Sequence, residues 1–205
     1  MDDDPNPARR ETPRRRVLLT GGAALATAGT AGLAWRASKS PRVRALLGIP
    51  EPVLDITALR PAEQPAALPE AELMDSAGTR HALASFAGTG LVLNFWATWC
   101  APCVAEMPAL ARLAGQVDGD GILVLAAASD NGGAAAVNRF FVEHRIGNLQ
   151  IWLDPGGAAG RALGTGGITP TTLIVDRAGR ERARLQGSAH WETDAAAAEI
   201  RRLIG

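Results

Sequence analysis

Only two cysteines occur in this 205-residue chain, Cys100 and Cys103, held in "NFWATWCAPCVAEMPAL" with Ala101 and Pro102 between them. Thiols at that spacing can close a structural bridge, bind a metal, or exchange disulfides with another molecule. A structural bridge gains most by closing a long loop, and this loop is too short to remove much chain entropy. A closed zinc site takes four ligands, whereas the three histidines, His81, His144 and His190, fall at no ligand spacing to the pair. A two-thiolate Cu(I) site stays open as a reading. Redox exchange accounts for more of the pattern. The first cysteine falls where a helix begins, and the unpaired N–H groups and dipole of a helix N-terminus favour a thiolate. The second lies one turn on, within reach to resolve a mixed disulfide.

The flanking elements explain how such a pair is positioned. "LVLNFWA", Leu91 to Ala97, is an unbroken apolar run, as expected of a strand covered on both faces. "CVAEMPALARLAGQV" follows at helical spacing and turns Val104, Met107, Leu110, Ala111 and Leu113 inward. The thiols therefore sit where the carboxyl end of a strand meets a helix N-terminus, the place where reactive groups collect in such sheets. "AELMDSAGTRHALASF" reads as a hairpin turning around Asp75 to Gly78, and "GILVLAAAS" as a second buried strand. A helix over "AAAVNRFFVEHR", a third strand over "LQIWLD" and a short helix over "GGAAGRALG" come next. "TTLIVDRAGRERARLQG" is a strand, a turn at Asp176 to Gly179 and a returning strand, and "TDAAAAEIRRLIG" closes as a helix capped by Thr193 or Asp194. The fold class is α/β, a mixed central sheet flanked by helices, with an N-terminal hairpin and an inserted helix-strand segment. Trp96 and Met107 belong to the core, whereas Trp99, next to Cys100, shields the thiol and offers apolar surface to a partner protein.

The rest of the chain addresses location. With 21 basic and 21 acidic residues and a pI near 6.8, no overall basic field exists to attract nucleic acid. The charge is uneven, however. Arg9, Arg10, Arg14, Arg15 and Arg16 precede the uncharged run Val17 to Trp35, and Arg36, Lys39, Arg42 and Arg44 follow it. Arg14 and Arg15 in "TPRRRVLL" match a twin-arginine export pattern, and "ATA" at Ala26 to Ala28 matches a signal-peptidase site. The run is also long enough, at about 1.5 Å per residue, to span a bilayer core as an uncleaved anchor with Trp35 at the far surface. The expected organisation is a signal or anchor over 1–36, a Pro/Ala-rich linker over 37–69 within which "VLDITAL" docks as a short strand, and a folded domain over 70–205.

"LVLNFWATWCAPCVAEMPAL" followed by "GITPTTLIVDRAGR" resembles the thioredoxin superfamily, and within it the membrane-linked TlpA and ResA type of thiol-disulfide oxidoreductase. The resemblance runs from about Leu73 to the C-terminus, includes Trp191, and is TlpA-like in the C-terminal half. It implies that Cys100 attacks and Cys103 resolves, that the two form a redox-active disulfide in place of any cofactor or metal, and that the Thr169–Pro170 bond is cis and faces the dithiol. Trp99, Ala101, Pro102 and Thr169 would then meet the substrate. Thioredoxin itself carries a buried aspartate where this chain has Asn94, and a neutral amide cannot take a proton from the second thiol. The TlpA and ResA type resembles this chain in pairing a neutral residue there with a glutamate three beyond the second cysteine, here Glu106. At that spacing the carboxylate shares a helix face with Cys103 and can accept its proton; the bland alternative is a solvated surface glutamate.

The activity so implied is reduction of protein disulfides in the periplasm, by a protein tethered to the inner membrane or released as a cleaved soluble form. A membrane thiol-disulfide reductase would supply electrons, and apocytochrome c or a copper-delivery protein of a respiratory oxidase would be the client. A Cu(I)-binding chaperone using the same two thiols is the competing reading outside enzymology. A thiol peroxidase is a weaker one, because the position three before Cys100 is Ala97 where a peroxidatic motif has threonine.

Overall fold

The computed structural model describes residues 43–44 and 52–205. The expected export segment lies outside these residues. Among them no helix is long and apolar enough to cross a membrane.

Among the described residues, eight strands form one mixed sheet: β1 (Arg60–Pro61), β2 (Glu72–Asp75), β3 (Arg80–Ala82), β4 (Gly90–Trp96), β5 (Ile122–Ala128), β6 (Trp152–Leu153), β7 (Thr171–Val175) and β8 (Glu181–Gln186). Their order across the sheet is β1-β8-β7-β4-β5-β6-β2-β3. The central β4 runs parallel to β5 and antiparallel to β7. Four α-helices accompany them in the described residues: α1 (Ala101–Gln116), α2 (Gly133–Glu143), α3 (Ala158–Ala162) and α4 (Asp194–Ile204). Thr193 caps α4, its hydroxyl accepting from the Ala196 N–H.

Strand periodicity divides the core in two. Val92 and Trp96 of β4, Val124, Ala126 and Ala128 of β5 and Ile174 of β7 pack on one face with α1, α2 and α4. Leu91, Leu93 and Phe95, with Leu125, Ala127, Leu173 and Val175, pack on the other with the β2–β3 hairpin and α3. Alternate residues of a strand point to opposite faces, so an uninterrupted apolar run is what a doubly covered sheet requires. Asn94 and Thr172, cross-strand partners in the β4–β7 ladder, fall by this alternation on the α1 face.

The folded domain begins earlier than position 70. Leu54 donates its N–H to the Ser188 carbonyl and accepts from the His190 N–H, Ile56 and Leu59 are buried, and β1 pairs with β8. The prolines did not keep this stretch from docking, because a proline without an N–H is tolerated on a sheet edge, where no second neighbour needs it. They do limit β1 to two paired residues. The third strand is likewise shorter than "LQIWLD" suggests: only Trp152 and Leu153 pair, held between β5 and β2.

Asp154, directly after β6, is 1% exposed and accepts from the Ala159 N–H at 2.8 Å and the Gly160 N–H at 2.9 Å. It thereby satisfies the first turn of α3. Asp154→Ala should destabilise the protein by about 1–3 kcal/mol in denaturant unfolding, because two buried donors lose their partner; an unchanged midpoint would show that water replaces the carboxylate at no cost.

Candidate active site

β4 ends at Trp96 and α1 starts at Ala101, so the intervening turn delivers the cysteines to the carboxyl edge of the central strand. Asp130, just past β5, holds that turn: one carboxylate oxygen accepts from the Thr98 N–H at 3.0 Å and the other from the Thr98 hydroxyl. Cys100 is the N-cap of α1, in extended backbone, and its Sγ accepts from the Cys103 N–H at 3.3 Å. Pro102 falls in the first turn of the helix, where its missing N–H costs nothing.

The two cysteines are joined in a disulfide with Cα atoms 5.2 Å apart. Cys100 is 6% exposed and Cys103 fully buried, so a reagent or partner from solvent meets the first sulfur before the second. Around them Trp99 is 71% exposed, Ala101 exposed and Pro102 half-buried. Thr169 and Pro170 immediately precede β7, and the pairing of Thr171 with Phe95 brings them to the same end of the sheet as the dithiol. The Thr169–Pro170 peptide is cis. Ile168 beside it is another exposed apolar side chain.

Glu106 is not a solvated surface residue: it is 2% exposed. Its Oε1 accepts from Asn94 Nδ2 at 2.9 Å, and its Oε2 accepts from Trp191 Nε1 at 2.9 Å and from the Ala189 N–H at 3.2 Å. Burial pushes the carboxyl up to about 7, against the pull of the bonds from Trp191, Asn94 and Ala189, which favour the ionised form. An acid that titrates near neutrality, one helical turn beyond Cys103, is matched to the work of taking and returning a thiol proton.

Two members of this cluster could not be found from local sequence. Thr172 accepts from Asn94 Nδ2 at 2.9 Å, and Trp191, fully buried, reaches Glu106 from 85 residues away. The family resemblance marked Trp191 but not its bond. The histidines lie outside the cluster: His81 pairs with Asp75, His144 stacks on Phe140, and His190 pairs with Glu192.

Residues 62–200 match the Redoxin family. The ResA thiol-disulfide oxidoreductase of Geobacillus thermodenitrificans is 33% identical over 121 residues, 58% of this chain and 67% of that protein. The ResA protein of Bacillus thuringiensis subsp. konkukian is 30% identical over 119 residues, again covering 58% and 67%. Among solved structures, a secreted thiol-disulfide isomerase from Corynebacterium glutamicum superposes with a TM-score of 0.59 at 20% identity, covering 71% of this chain and 92% of that one. A DsbF homologue from Corynebacterium diphtheriae gives 0.57 at 21% identity, covering 69% and 90%; both establish likeness of fold. The chain belongs to the Redoxin family, as a TlpA/ResA-type member of the thioredoxin superfamily. It is a thiol-disulfide oxidoreductase whose redox pair is Cys100 and Cys103.

Proposed function

We propose that the protein is an exported reductase of protein disulfides, anchored by its N-terminal segment, with Cys100 as attacking and Cys103 as resolving thiol. The observation that carries this reading is a dithiol at the N-terminus of α1 with a buried, near-neutral carboxyl one turn behind it. In the reduced protein the Cys100 thiolate attacks one sulfur of a client disulfide and the client's other sulfur leaves as a thiolate. Cys103 then attacks the Cys100 sulfur, its proton passing to Glu106, and the client's second thiolate departs. Two electrons have moved to the client, and the protein holds the disulfide seen here. Trp99 and Ile168 offer the client apolar contact, and the backbone at Thr169 and Pro170 lies at the same edge.

Export rests on the Arg14–Arg15 pair before the uncharged run Val17 to Trp35. Clients in cytochrome c assembly or in building the copper centre of a respiratory oxidase, and a membrane thiol-disulfide reductase as electron source, follow from the TlpA and ResA resemblance. The direction is tested by equilibrating the protein with glutathione and dithiothreitol buffers alongside an insulin-reduction assay. The expected potential is more negative than about −220 mV, with turnover of insulin. A value near the −120 mV or so of strong dithiol oxidants would make the protein an oxidase instead.

A further inference from the structure

One short segment, Gly187 to Trp191, bonds both to the buried acid and to the proline at the dithiol edge. Its Ala189 N–H donates to Glu106 Oε2 at 3.2 Å, the longest of the three bonds on that carboxyl, and its Trp191 indole donates to the same oxygen. Its Gly187 N–H donates to the Pro170 carbonyl at 2.8 Å. The opposite edge of the segment is taken by Leu54. The Leu54 N–H donates to the Ser188 carbonyl at 2.7 Å and the Leu54 carbonyl accepts from the His190 N–H at 3.0 Å, a one-residue parallel bridge opposite Ala189. Successive backbone groups of an extended chain point to opposite edges, so bonds from Leu54 to Ser188 and His190 fix where the Ala189 N–H points. The Leu54 side chain lies over Gly187, whose φ of +111° suits a glycine and on which a Cβ would come within 3.2 Å of Leu54 Cδ1. Leu54 is itself anchored. Asp55 caps the short turn Ile56–Ala58 by accepting from the Thr57 N–H at 2.9 Å, and Ile56 is buried in the core.

We infer that Leu54 is a positioning residue of the active site, a clamp whose two backbone bonds hold Ala189 on the Glu106 carboxyl and Gly187 on the Pro170 carbonyl. It touches neither thiol and acts through segment 187–191. A buried amide that donates to a carboxylate favours the ionised form, but only while it is held at bonding distance. Without Leu54 the Ser188 carbonyl and the His190 N–H lose their partners and turn to water, and the Ala189 N–H leaves Glu106 with them. Asn94 and Trp191 stay as donors, one fixed in the β4 ladder and the other by its own complete burial. Asp55, Arg112, His190 and Glu192 interact among themselves near the surface, and among the described residues no charged side chain bonds to Glu106. This role deepens the proposed reading that Glu106 takes the Cys103 proton and rests on it; the two are separable by experiment.

The test follows the Glu106 carboxyl carbon shift with pH in the oxidised full-length chain, in which no thiol titrates, the signal being assigned by its loss in Glu106→Gln. Leu54→Pro deletes the N–H that holds Ser188. The Glu106 midpoint, about 7 in the wild type, should then rise by about one unit, roughly a tenfold gain in proton affinity, because a donor to the ionised form is lost. The Gly187 and Ala189 amides should exchange with deuterium about tenfold faster. Leu54→Val keeps both backbone bonds and should match the wild type in both readouts. Ile56→Ala loosens the clamp through lost burial alone and should give a smaller rise, which decides the question if the proline variant does not fold. A residue that only stabilises the domain would, on substitution, lower the urea midpoint and leave the Glu106 midpoint where it was. That result, or a fall in the Glu106 midpoint, overturns the proposal. Alkylation of reduced Cys103 across the same pH range, in wild type and Glu106→Gln, reads the proton-acceptor role separately. Superimposable alkylation profiles together with a raised midpoint in Leu54→Pro would refute the acceptor and keep the clamp; altered profiles with an unmoved midpoint would do the reverse.

Discussion

Cys100→Ser should abolish insulin reduction, while Cys103→Ser should accumulate a covalent complex with client. The asymmetry follows from exposure and helix position. Cys100 caps α1 and is the sulfur a partner can reach, whereas Cys103 lies fully buried behind it. Without Cys100 nothing attacks. Without Cys103 the attack still proceeds and the mixed disulfide persists, because the resolving nucleophile is gone. Non-reducing electrophoresis after incubation with an oxidised client reads both outcomes. Equal trapping by the two variants would overturn the assignment of attacker and resolver.

Stability of the oxidised protein should fall as pH rises from about 4.5 to about 7, through the titration of Glu106 alone. The sign follows from the direction of the shift. A carboxyl pushed up by burial keeps its proton in the folded state over a range in which the unfolded chain has already released it. Folding therefore takes up a proton in that window, and raising the pH opposes it. Below the window both states are protonated and above it both are ionised, so the contribution is flat outside. A shift from 4.5 to about 7 corresponds to on the order of 3 kcal/mol. Asp75 and Glu199, held below their ordinary values by hydrogen bonds with His81 and Arg202, act in the opposite sense at more acid pH. For that reason the measurement is a difference. Urea unfolding of wild type and Glu106→Gln should diverge with increasing pH across the window, the variant gaining relative to wild type. Parallel curves would mean that the carboxyl titrates as it does in water, in conflict with its burial.

Much of this protein could be read from local sequence, for a physical reason. The strand of Leu91 to Ala97, the helix after it and the capping position of Cys100 are set by short-range pattern and by helix-end chemistry, which act over a few residues. So are the placing of two thiols one turn apart, the turn at Asp176 to Gly179 and a cap at Thr193 or Asp194, of which Thr193 is the one used. The α1 face that Cys103 and Glu106 share follows from their spacing alone.

Burial and long-range partners did not follow from that spacing. On an isolated helix Glu106 would be solvated; only the packing of α1 against β4, β7 and the segment before α4 encloses it, and only the β4–β7 register sets Asn94 beside Thr172. Trp191 arrives from the far end of the domain, and no local period encodes that meeting. The docking of Val53 to Leu59 was expected, but the pairing of residues 60–69 with β8 and the turn before it was hidden similarly, since prolines mark interruption of a ladder and say nothing about whether an open sheet edge waits nearby. The thiols are thus a property of sequence and the titration of the acid behind them a property of tertiary structure, because a pKa depends on what surrounds a group and long-range packing alone determines the surroundings of Glu106.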